Sequence, residues 1–179
     1  MSAPPVIRFT EAEAHAAHDA WGFNCGPAAL CGVLGLRPEQ VRPHLLGFEE
    51  RGYTNPTLMY DALRSLGVTF TKRVTPADSK TNVFPRLGLV RVQWAGPWTQ
   101  PGVPMRARYR KTHWVGTFWS SPPPDAPSEE FVFDINAAGV GGWIRFDEWS
   151  LKLVPWLLKQ CEPKADGEWW ITHSLEVER

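Results

Sequence analysis

The N-terminal part of the chain spaces its apolar residues as a helix does, at every third or fourth position. Leu58, Ala62 and Leu66 form one such apolar face. Asn55 is placed to cap this helix, and Gly67 is placed to end it. By the same reasoning, helical segments are predicted over 11–18, 25–34, 37–46 and 55–66.

Beyond residue 67 the pattern changes to the alternation and the β-branched and aromatic residues that are typical of strands. Strands are predicted over 68–74, 88–94, 111–119, 131–136, 143–146 and 169–177. Residues 147–159 are amphipathic and predict a helix that Pro155 bends or divides. Helices followed by antiparallel strands indicate an α+β fold, in which the 25–34 helix packs on a C-terminal antiparallel β-sheet. No repeat or linker interrupts the 179 residues, so a single domain over 1–179 is predicted.

The charge balance and the lack of long apolar runs argue against several classes of protein. Nineteen basic residues match nineteen acidic ones, which does not favour a nucleic-acid-binding surface. The N-terminus has neither the basic start nor the apolar run of a secretion signal. No apolar run reaches the roughly 18 residues of a membrane span. We therefore expect a cytoplasmic protein with no membrane partner, and we do not expect nucleic acid as a partner.

The cysteines fit neither a zinc site nor a disulfide framework. Cys25, Cys31 and Cys161 are an odd number of cysteines, and no Cys-x-x-Cys motif occurs. This usage is typical of a reducing compartment. Neither a metal nor a cofactor is predicted.

Cys25 is the residue whose position points most directly to chemistry. It stands where a polar turn becomes the apolar helix 25–34, and Asn24 is placed to cap that helix. The unpaired N–H groups and the positive dipole end of a helix N-terminus favour a thiolate. The alternative is a buried cysteine that acts as a small apolar side chain. The position at the start of the helix, outside its body, favours the reactive thiol.

His113 combines a strand start with an acidic residue at the end of the next strand. If residues 131–136 pair antiparallel with 111–119, Asp134 or Asn136 comes close to His113. The carboxylate could then orient the imidazole, and the imidazole could take the proton of Cys25. The alternative is a strand-end histidine that faces solvent.

Three motifs together resemble the papain-like cysteine peptidases: Asn-Cys-Gly-Pro-Ala-Ala-Leu at 24–30, His-Trp-Val at 113–115, and an aspartate on the following strand. The pattern is most similar to that of the bacteriocin-leader-processing peptidases and their short stand-alone relatives. The chain also resembles, in its overall appearance, small proteins of phage and prophage genomes. The resemblance covers about residues 15–150. It implies a papain-like fold with Cys25 as nucleophile, His113 as general base and acid, and Asp134 as the residue that orients the imidazole.

The sequence departs from this family at the residue that helps to bind the oxyanion. The family carries a glutamine six residues before the nucleophile, and this chain has Asp19 there. An ionised carboxylate cannot donate a hydrogen bond, and its charge opposes an oxyanion. Trp21 or Asn24 is expected to donate beside the main-chain N–H of Cys25, with His18 as a further substitute. We expect Asp19 to point away from the cleft or to be neutralised by a cation.

A basic run before His113 is a candidate for substrate binding. On a strand, Arg106, Arg108 and Arg110 would face the same way and could receive an acidic peptide, a carboxylate or a phosphate. A solvated edge strand explains the run equally well, since basic residues protect such edges from aggregation. Trp114 is one of several tryptophans that could line a substrate groove, although core packing is their more frequent use.

These observations predict a cysteine-dependent hydrolase that cleaves a peptide, isopeptide or amide bond through a thioester. Its substrate would be a protein or a peptide, and transfer of the acyl group to an amine would need the same residues. The alternative is a non-catalytic module of papain-like fold that holds a protein or an acidic ligand in an aromatic and basic cleft. Asp19 favours that alternative. A nucleic-acid-binding factor that uses the 106–111 run is the least consistent with the neutral charge.

Overall fold

Helices make up the N-terminal part of the protein. The computed structural model describes residues 3–74, 84–109, 111–120 and 128–178, without the side chains of Val74, Met105 and Arg106. Five helices come first: α1 (Glu11–Trp21), α2 (Cys25–Leu34), α3 (Pro38–Val41), α4 (Phe48–Arg51) and α5 (Pro56–Ser65). No helix in the described ranges is both long enough and apolar enough to cross a bilayer.

The C-terminal part builds one antiparallel sheet. Its strands are β1 (Phe70–Val74), β2 (Leu87–Trp94), β3 (Thr112–Trp119), β4 (Glu130–Phe133), β5 (Trp143–Arg145) and β6 (Trp169–Val177). The strand order is β1-β6-β2-β3-β4-β5, and every neighbouring pair is antiparallel. The α+β prediction is confirmed. Shorter elements connect the strands: 3₁₀ turns at Pro97–Thr99 and Ile135–Val140, α6 (Met105–Arg108), α7 (Phe146–Glu148), a π-helical turn at Trp149–Leu153, and α8 (Val154–Lys159).

Three predicted elements differ from the structure, each for a local reason. The strand predicted over 131–136 ends at Phe133, because Asp134 caps the 3₁₀ turn that follows. The helix predicted over 37–46 becomes α3 and a 3₁₀ turn, Arg42–His44, with Pro43 in its first turn. Residues 105–108 form a short helix and no strand, so the predicted alternation of the arginines is wrong.

The sheet is buried on both faces. Leu89 on β2 and Leu175 on β6 pack against the N-terminal helices in one apolar cluster. Val90 and Val92 face the other way and pack with Trp149 from the C-terminal helical segment in a second cluster. Because side chains alternate along a strand, β2 supplies both clusters, and all eight of its residues are buried. The protein thus has three layers, with the sheet in the middle.

The helix α2 packs very close to the sheet because each of the two elements has a glycine at the contact: Gly32 on α2 and Gly116 on β3. A Cβ at Gly32 of α2 would lie 2.6 Å from Cγ of Phe133 on β4. A Cβ at Gly116 of β3 would lie 2.8 Å from Cγ2 of Val33 on α2. Since real Cβ atoms do not approach so closely, any larger residue at either position would push the helix off the sheet.

The Gly32→Ala substitution is expected to lower the free energy of unfolding by about 1–3 kcal/mol, because the new methyl group overlaps the Phe133 ring. Urea denaturation measures this change. The direction is informative, since alanine in place of a helical glycine ordinarily stabilises a helix.

The matched control is Gly139→Ala in the 3₁₀ turn Ile135–Val140. A Cβ there would meet the flexible end of the Glu11 side chain, 3.1 Å away. This variant should stay within about 0.5 kcal/mol of the wild type. Equal effects of the two substitutions would contradict the tight contact between α2 and β4.

Candidate active site

Cys25 is the first residue of α2 and is half-buried. The Asn24 side chain caps the helix, accepting a hydrogen bond from the Gly26 N–H at 3.3 Å. The same side chain donates to the carbonyl of Gly52 at 3.0 Å, which fixes the turn before the cysteine. A Cβ at Gly26 would overlap the hydroxyl of Thr54, so glycine is required beside the cysteine. These contacts hold the thiol at the helix N-terminus, where unpaired N–H groups favour a thiolate.

His113 is the second residue of β3 and is buried. Its ring stacks on Trp94 of β2, with centroids 5.9 Å apart and planes 24° apart. The alternation puts His113 in phase with Val115, which faces the C-terminal helical segment. His113 stands near the start of the strand and lines the same cavity as Cys25, and each of the two side chains shifts the pKa of the other. Cys25 and His113 are therefore brought together.

Asp134 holds the imidazole from the other side. Its Oδ2 lies 2.9 Å from Nε2 of His113 and also accepts a hydrogen bond from the indole N–H of Trp149 at 2.9 Å. Its Oδ1 accepts from the main-chain and side-chain N–H groups of Asn136, both at 2.9 Å. The carboxylate is fully buried, and both of its oxygens are hydrogen-bonded. Of the two candidates, Asp134 is therefore the residue that contacts the imidazole, and Asn136 contacts the carboxylate of Asp134.

The electrostatics of this cluster favour a charged imidazolium. Burial alone would lower the pKa of His113, but the negative charges of Asp134 and of the Cys25 thiolate raise it well above its ordinary value. Burial would raise the pKa of Asp134, but the His113 charge and the hydrogen bonds from His113, Trp149 and Asn136 lower it to about 2. The carboxylate is therefore ionised at neutral pH.

The three cysteines differ in acidity. Burial would raise the pKa of Cys25, but the charge and hydrogen bond of His113 and the main-chain N–H of Trp114 bring it below its ordinary value. Burial raises the pKa of Cys31 and of Cys161. Among the cysteines, only Cys25 has its thiolate favoured by its surroundings.

Of the two side chains expected to donate to the oxyanion, Asn24 lies beside Cys25 and Trp21 does not. Asn24 lines the cavities on both sides of Cys25. Trp21 instead packs edge-on against Phe23 and Phe48, with their ring centroids 5.3 and 5.8 Å away, and lines neither cavity. Asp19 is exposed on α1 and lines neither cavity.

His18, seven residues before Cys25, lies where a further donor could act. Its Nδ1 is 3.0 Å from the carbonyl of Phe23, and its side chain lines a cavity together with Cys25 and His113. Since a carbonyl only accepts hydrogen bonds, Nδ1 carries the proton. In that tautomer Nε2 of the neutral ring is an acceptor, so the Phe23 contact does not make His18 a donor to the cavity.

Two cavities open on either side of Cys25 and share Asn24 and Cys25. The His113-side cavity has a volume of about 630 Å³ and is also lined by Glu11, His15, His18, Phe23, His113, Ile135 and Asn136, among others. The Arg91-side cavity has a volume of about 930 Å³ and is also lined by Tyr53, Thr54, Arg91, Tyr109, Thr112, Trp114 and His173, among others. The thiol therefore lies midway along an open cleft.

The part of the basic run that the structure describes does not lie on a strand. Arg106 and Arg108 lie on α6, and Arg110 is outside the described residues. The Arg108 Nε donates to the carbonyl of Val103 at 2.8 Å, which holds its side chain on its own loop. Trp114 is buried and lines the Arg91-side cavity, and its indole N–H donates to the carbonyl of Thr54 at 2.8 Å.

Two residues of the site were not identified from the sequence. Trp149 donates to Asp134 from the opposite layer, a contact between distant segments that no local pattern signals. Arg91 lines the cavity that also contains Cys25, and the sequence did signal it: Arg91 is the one charged residue of strand β2, in phase with Leu87 and Leu89. Within the described ranges, no group of three histidine, cysteine or acidic side chains could hold a metal ion.

Cys25 should react with iodoacetamide at pH 6 about tenfold faster than Cys31 or Cys161, because its thiolate alone is favoured. Peptide mass spectrometry after timed quenching measures the three rates. In the control variant His113→Ala, the pKa of Cys25 rises and its advantage at pH 6 shrinks. Similar rates at all three cysteines would contradict the assignment of Cys25.

Trp149→Phe should raise the pKa of Asp134 above about 2, because the indole N–H hydrogen-bonds to the ionised carboxylate. The depressed pKa of Asp134 contributes stability at pH values above 3.8, and this contribution is lost as the pH falls towards 2. We therefore expect the variant to lose about 1–3 kcal/mol of unfolding free energy at pH 7, measured in urea.

Trp156→Phe is the matched control, since the Trp156 side chain is 52% exposed on α8. It should leave the stability within about 0.5 kcal/mol of the wild type.

Asp134→Asn should lower the pKa of His113, because the lost charge is the main one that raises it. An NMR titration of the imidazole that gives an unchanged pKa would contradict the pairing.

Comparison with known proteins adds no family to this geometry: no family model matches the chain, and no curated protein matches it significantly.

Proposed function

We propose that the protein is a papain-like cysteine hydrolase that cleaves a peptide, isopeptide or amide bond through a thioester intermediate. The observation that carries this proposal is the chain of contacts from Cys25 to His113 to Asp134, with the last link at 2.9 Å. A nucleophile, a base and a group that orients the base are the parts that acyl transfer requires.

The fold supports the family resemblance. The cysteine opens a helix that packs on an antiparallel sheet, and the histidine and the aspartate lie on β3 and directly after the neighbouring strand β4. The resemblance implies this arrangement for a papain-like peptidase. It also implies the roles of Cys25 as nucleophile, His113 as general base and acid, and Asp134 as the orienting residue.

The first half-reaction makes the thioester. The lowered pKa of Cys25 and the raised pKa of His113 favour a thiolate beside an imidazolium. The thiolate attacks the scissile carbonyl and forms the C–S bond. The resulting oxyanion then collapses, the C–N bond breaks, and His113 gives its proton to the leaving amine. Asp134 keeps the imidazole oriented throughout.

The second half-reaction releases the acyl group. The now neutral His113 takes a proton from a water molecule, the oxygen attacks the thioester, and the C–S bond breaks to restore the thiolate. An amine in place of water would give acyl transfer. The main-chain N–H of Cys25 at the helix N-terminus supports the oxyanion, together with the side-chain amide of Asn24. Asp19, exposed on α1, does not oppose that charge from within the cleft.

Hydrolysis is tested with a library of internally quenched peptides and with the variants Cys25→Ala and His113→Ala. The wild type should cleave members of the library, and Cys25→Ala should lose the activity by about 10³-fold or more. His113→Ala should lose about 10²- to 10⁴-fold. Mass spectrometry of rapidly quenched wild type should detect an adduct of the acyl group on the peptide that contains Cys25.

Cys31→Ala is the control variant, since Cys31 is buried in the body of α2 and lies outside the cleft. It should keep the activity of the wild type. If the wild type cleaves no peptide and Cys25→Ala retains peptides as tightly as the wild type does, hydrolysis is ruled out. The protein would then be a binding module, as the departure at Asp19 also allows.

A further inference from the structure

Arg91 is a buried cation that pairs with no carboxylate among the residues that the structure describes; a negative charge that acts on it within the site is that of the Cys25 thiolate. Its side chain is only 7% exposed, and among the residues that the structure describes it forms no ion pair. Its Nη2 donates to the Thr112 hydroxyl at 3.1 Å, and its guanidinium carbon lies 5.5 Å from the Tyr109 ring centroid. Its Nε is buried and finds no hydrogen-bond partner in the described part of the chain. Since burial of an unpaired charge is costly, this arrangement is not explained by stability.

Two more unpartnered polar atoms lie in the same cavity wall. Thr54 Oγ1 and His173 Nδ1 are buried without a hydrogen-bond partner within the described ranges, and both residues line the Arg91-side cavity. Arg91 pairs with Trp114 on one side and with His173 on the other, so the three side chains stand next to one another across the sheet. Burial and the nearby Arg91 charge lower the pKa of His173 to about 4, which leaves Arg91 as the cation at neutral pH.

The strands place this group where the helix layer leaves the sheet uncovered. Leu89 and Leu175 are opposite each other and face the helices. Arg91 follows Leu89 by two residues and His173 precedes Leu175 by two, so this second opposite pair lies on the same face of the sheet. Among the described residues, no acidic side chain lines the Arg91-side cavity, whereas Glu11 lines the His113-side cavity. The two halves of the cleft therefore differ in charge.

The position of His113 indicates which part of the substrate would occupy the His113-side cavity and which part would occupy the Arg91-side cavity. A general acid must reach the leaving nitrogen, so the leaving amine belongs in the cavity that His113 lines. The acyl part then extends from Cys25 into the Arg91-side cavity. This assignment rests on the proposed hydrolase function.

We propose that Arg91 binds a carboxylate in the acyl part of the substrate, assisted by Thr54 and His173, so that the protein acts on bonds whose acyl side is acidic. A carboxylate accepts two parallel hydrogen bonds from a guanidinium, and here it would provide the acceptor that the buried Nε of Arg91 does not find among the described residues. Two substrates offer this chemistry: the side chain of an aspartate or glutamate in a peptide, and the α-carboxylate of a γ-linked glutamyl group.

The first test needs no hydrolysis. Iodoacetate and iodoacetamide both alkylate Cys25, and only the former carries a carboxylate, so the ratio of their rates cancels any change in the amount of thiolate. Arg91→Gln should lower the iodoacetate-to-iodoacetamide ratio by about tenfold. Arg86→Gln is the matched control, since Arg86 is exposed just before β2 and lines neither cavity at Cys25. It should leave the ratio unchanged, as should the charge-preserving Arg91→Lys to within a few-fold.

The wild type provides a measurement that does not depend on how any variant folds. Glutarate should protect Cys25 from iodoacetamide at least about tenfold better than its neutral diamide, because only the acid can pair with Arg91. Equal protection by the two compounds, or an unchanged rate ratio in a folded Arg91→Gln protein, would overturn the carboxylate site.

The second test compares anilides that differ only by an acid and its amide. The acyl group is α-linked glutamate against glutamine, or γ-linked glutamate against its α-amide. The wild type should prefer the acid of at least one pair by about tenfold or more in kcat/KM, and that pair identifies the source of the carboxylate. Cleavage without such a preference would overturn the inference and leave the hydrolase standing. Anion-selective alkylation with no cleavage of any substrate would overturn the hydrolase and leave the anion site standing.

Discussion

The buried carboxylate of Asp134 is the group on which the geometry of the site depends. Burial of a charge is tolerated only when that charge is paired and hydrogen-bonded, and here four N–H groups satisfy its two oxygens. His113 and Trp149 share one oxygen, and Asn136 provides both donors to the other. The carboxylate therefore cannot turn without losing several of these bonds. It fixes the imidazole in one orientation and raises its pKa.

The second constraint is the close packing of α2 on the sheet. The thiol belongs to the helix layer and the imidazole to the sheet, so their hydrogen bond requires a fixed distance between the two layers. Gly32 and Gly116 allow that distance, since a side chain at either position would collide with the neighbouring element. The Gly26 position meets the same requirement against Thr54. Small residues in and beside α2 thus hold Cys25 within reach of His113.

The two cavities beside Cys25 differ in chemistry because β3 and β2 bring different side chains to the edge of the helix layer. On β3, His113 comes at the start of the strand and turns towards Asp134 and the His113-side cavity. On β2, Arg91 remains under the Arg91-side cavity, beside Trp114 and His173. His113 therefore lines the cavity on one side of the thiol, and Arg91 lines the cavity on the other. The proposed substrate, with an acidic acyl group and an amine leaving group, matches this difference between the two cavities.

The sequence by itself determined the elements and the chemistry that local patterns encode. Apolar spacing and capping residues predict α2 and α5, and the alternation at 169–177 predicts β6, because these depend on neighbouring residues alone. The motif around Cys25 and the strand that begins near His113 were also sufficient to select Cys25, His113 and Asp134 as candidates. Only the tertiary structure decided which side chains meet. It brought Trp149 to Asp134 and left Trp21 packed among aromatic rings. It also made Arg91 line a cavity together with Cys25, because such contacts depend on how distant strands and layers pack.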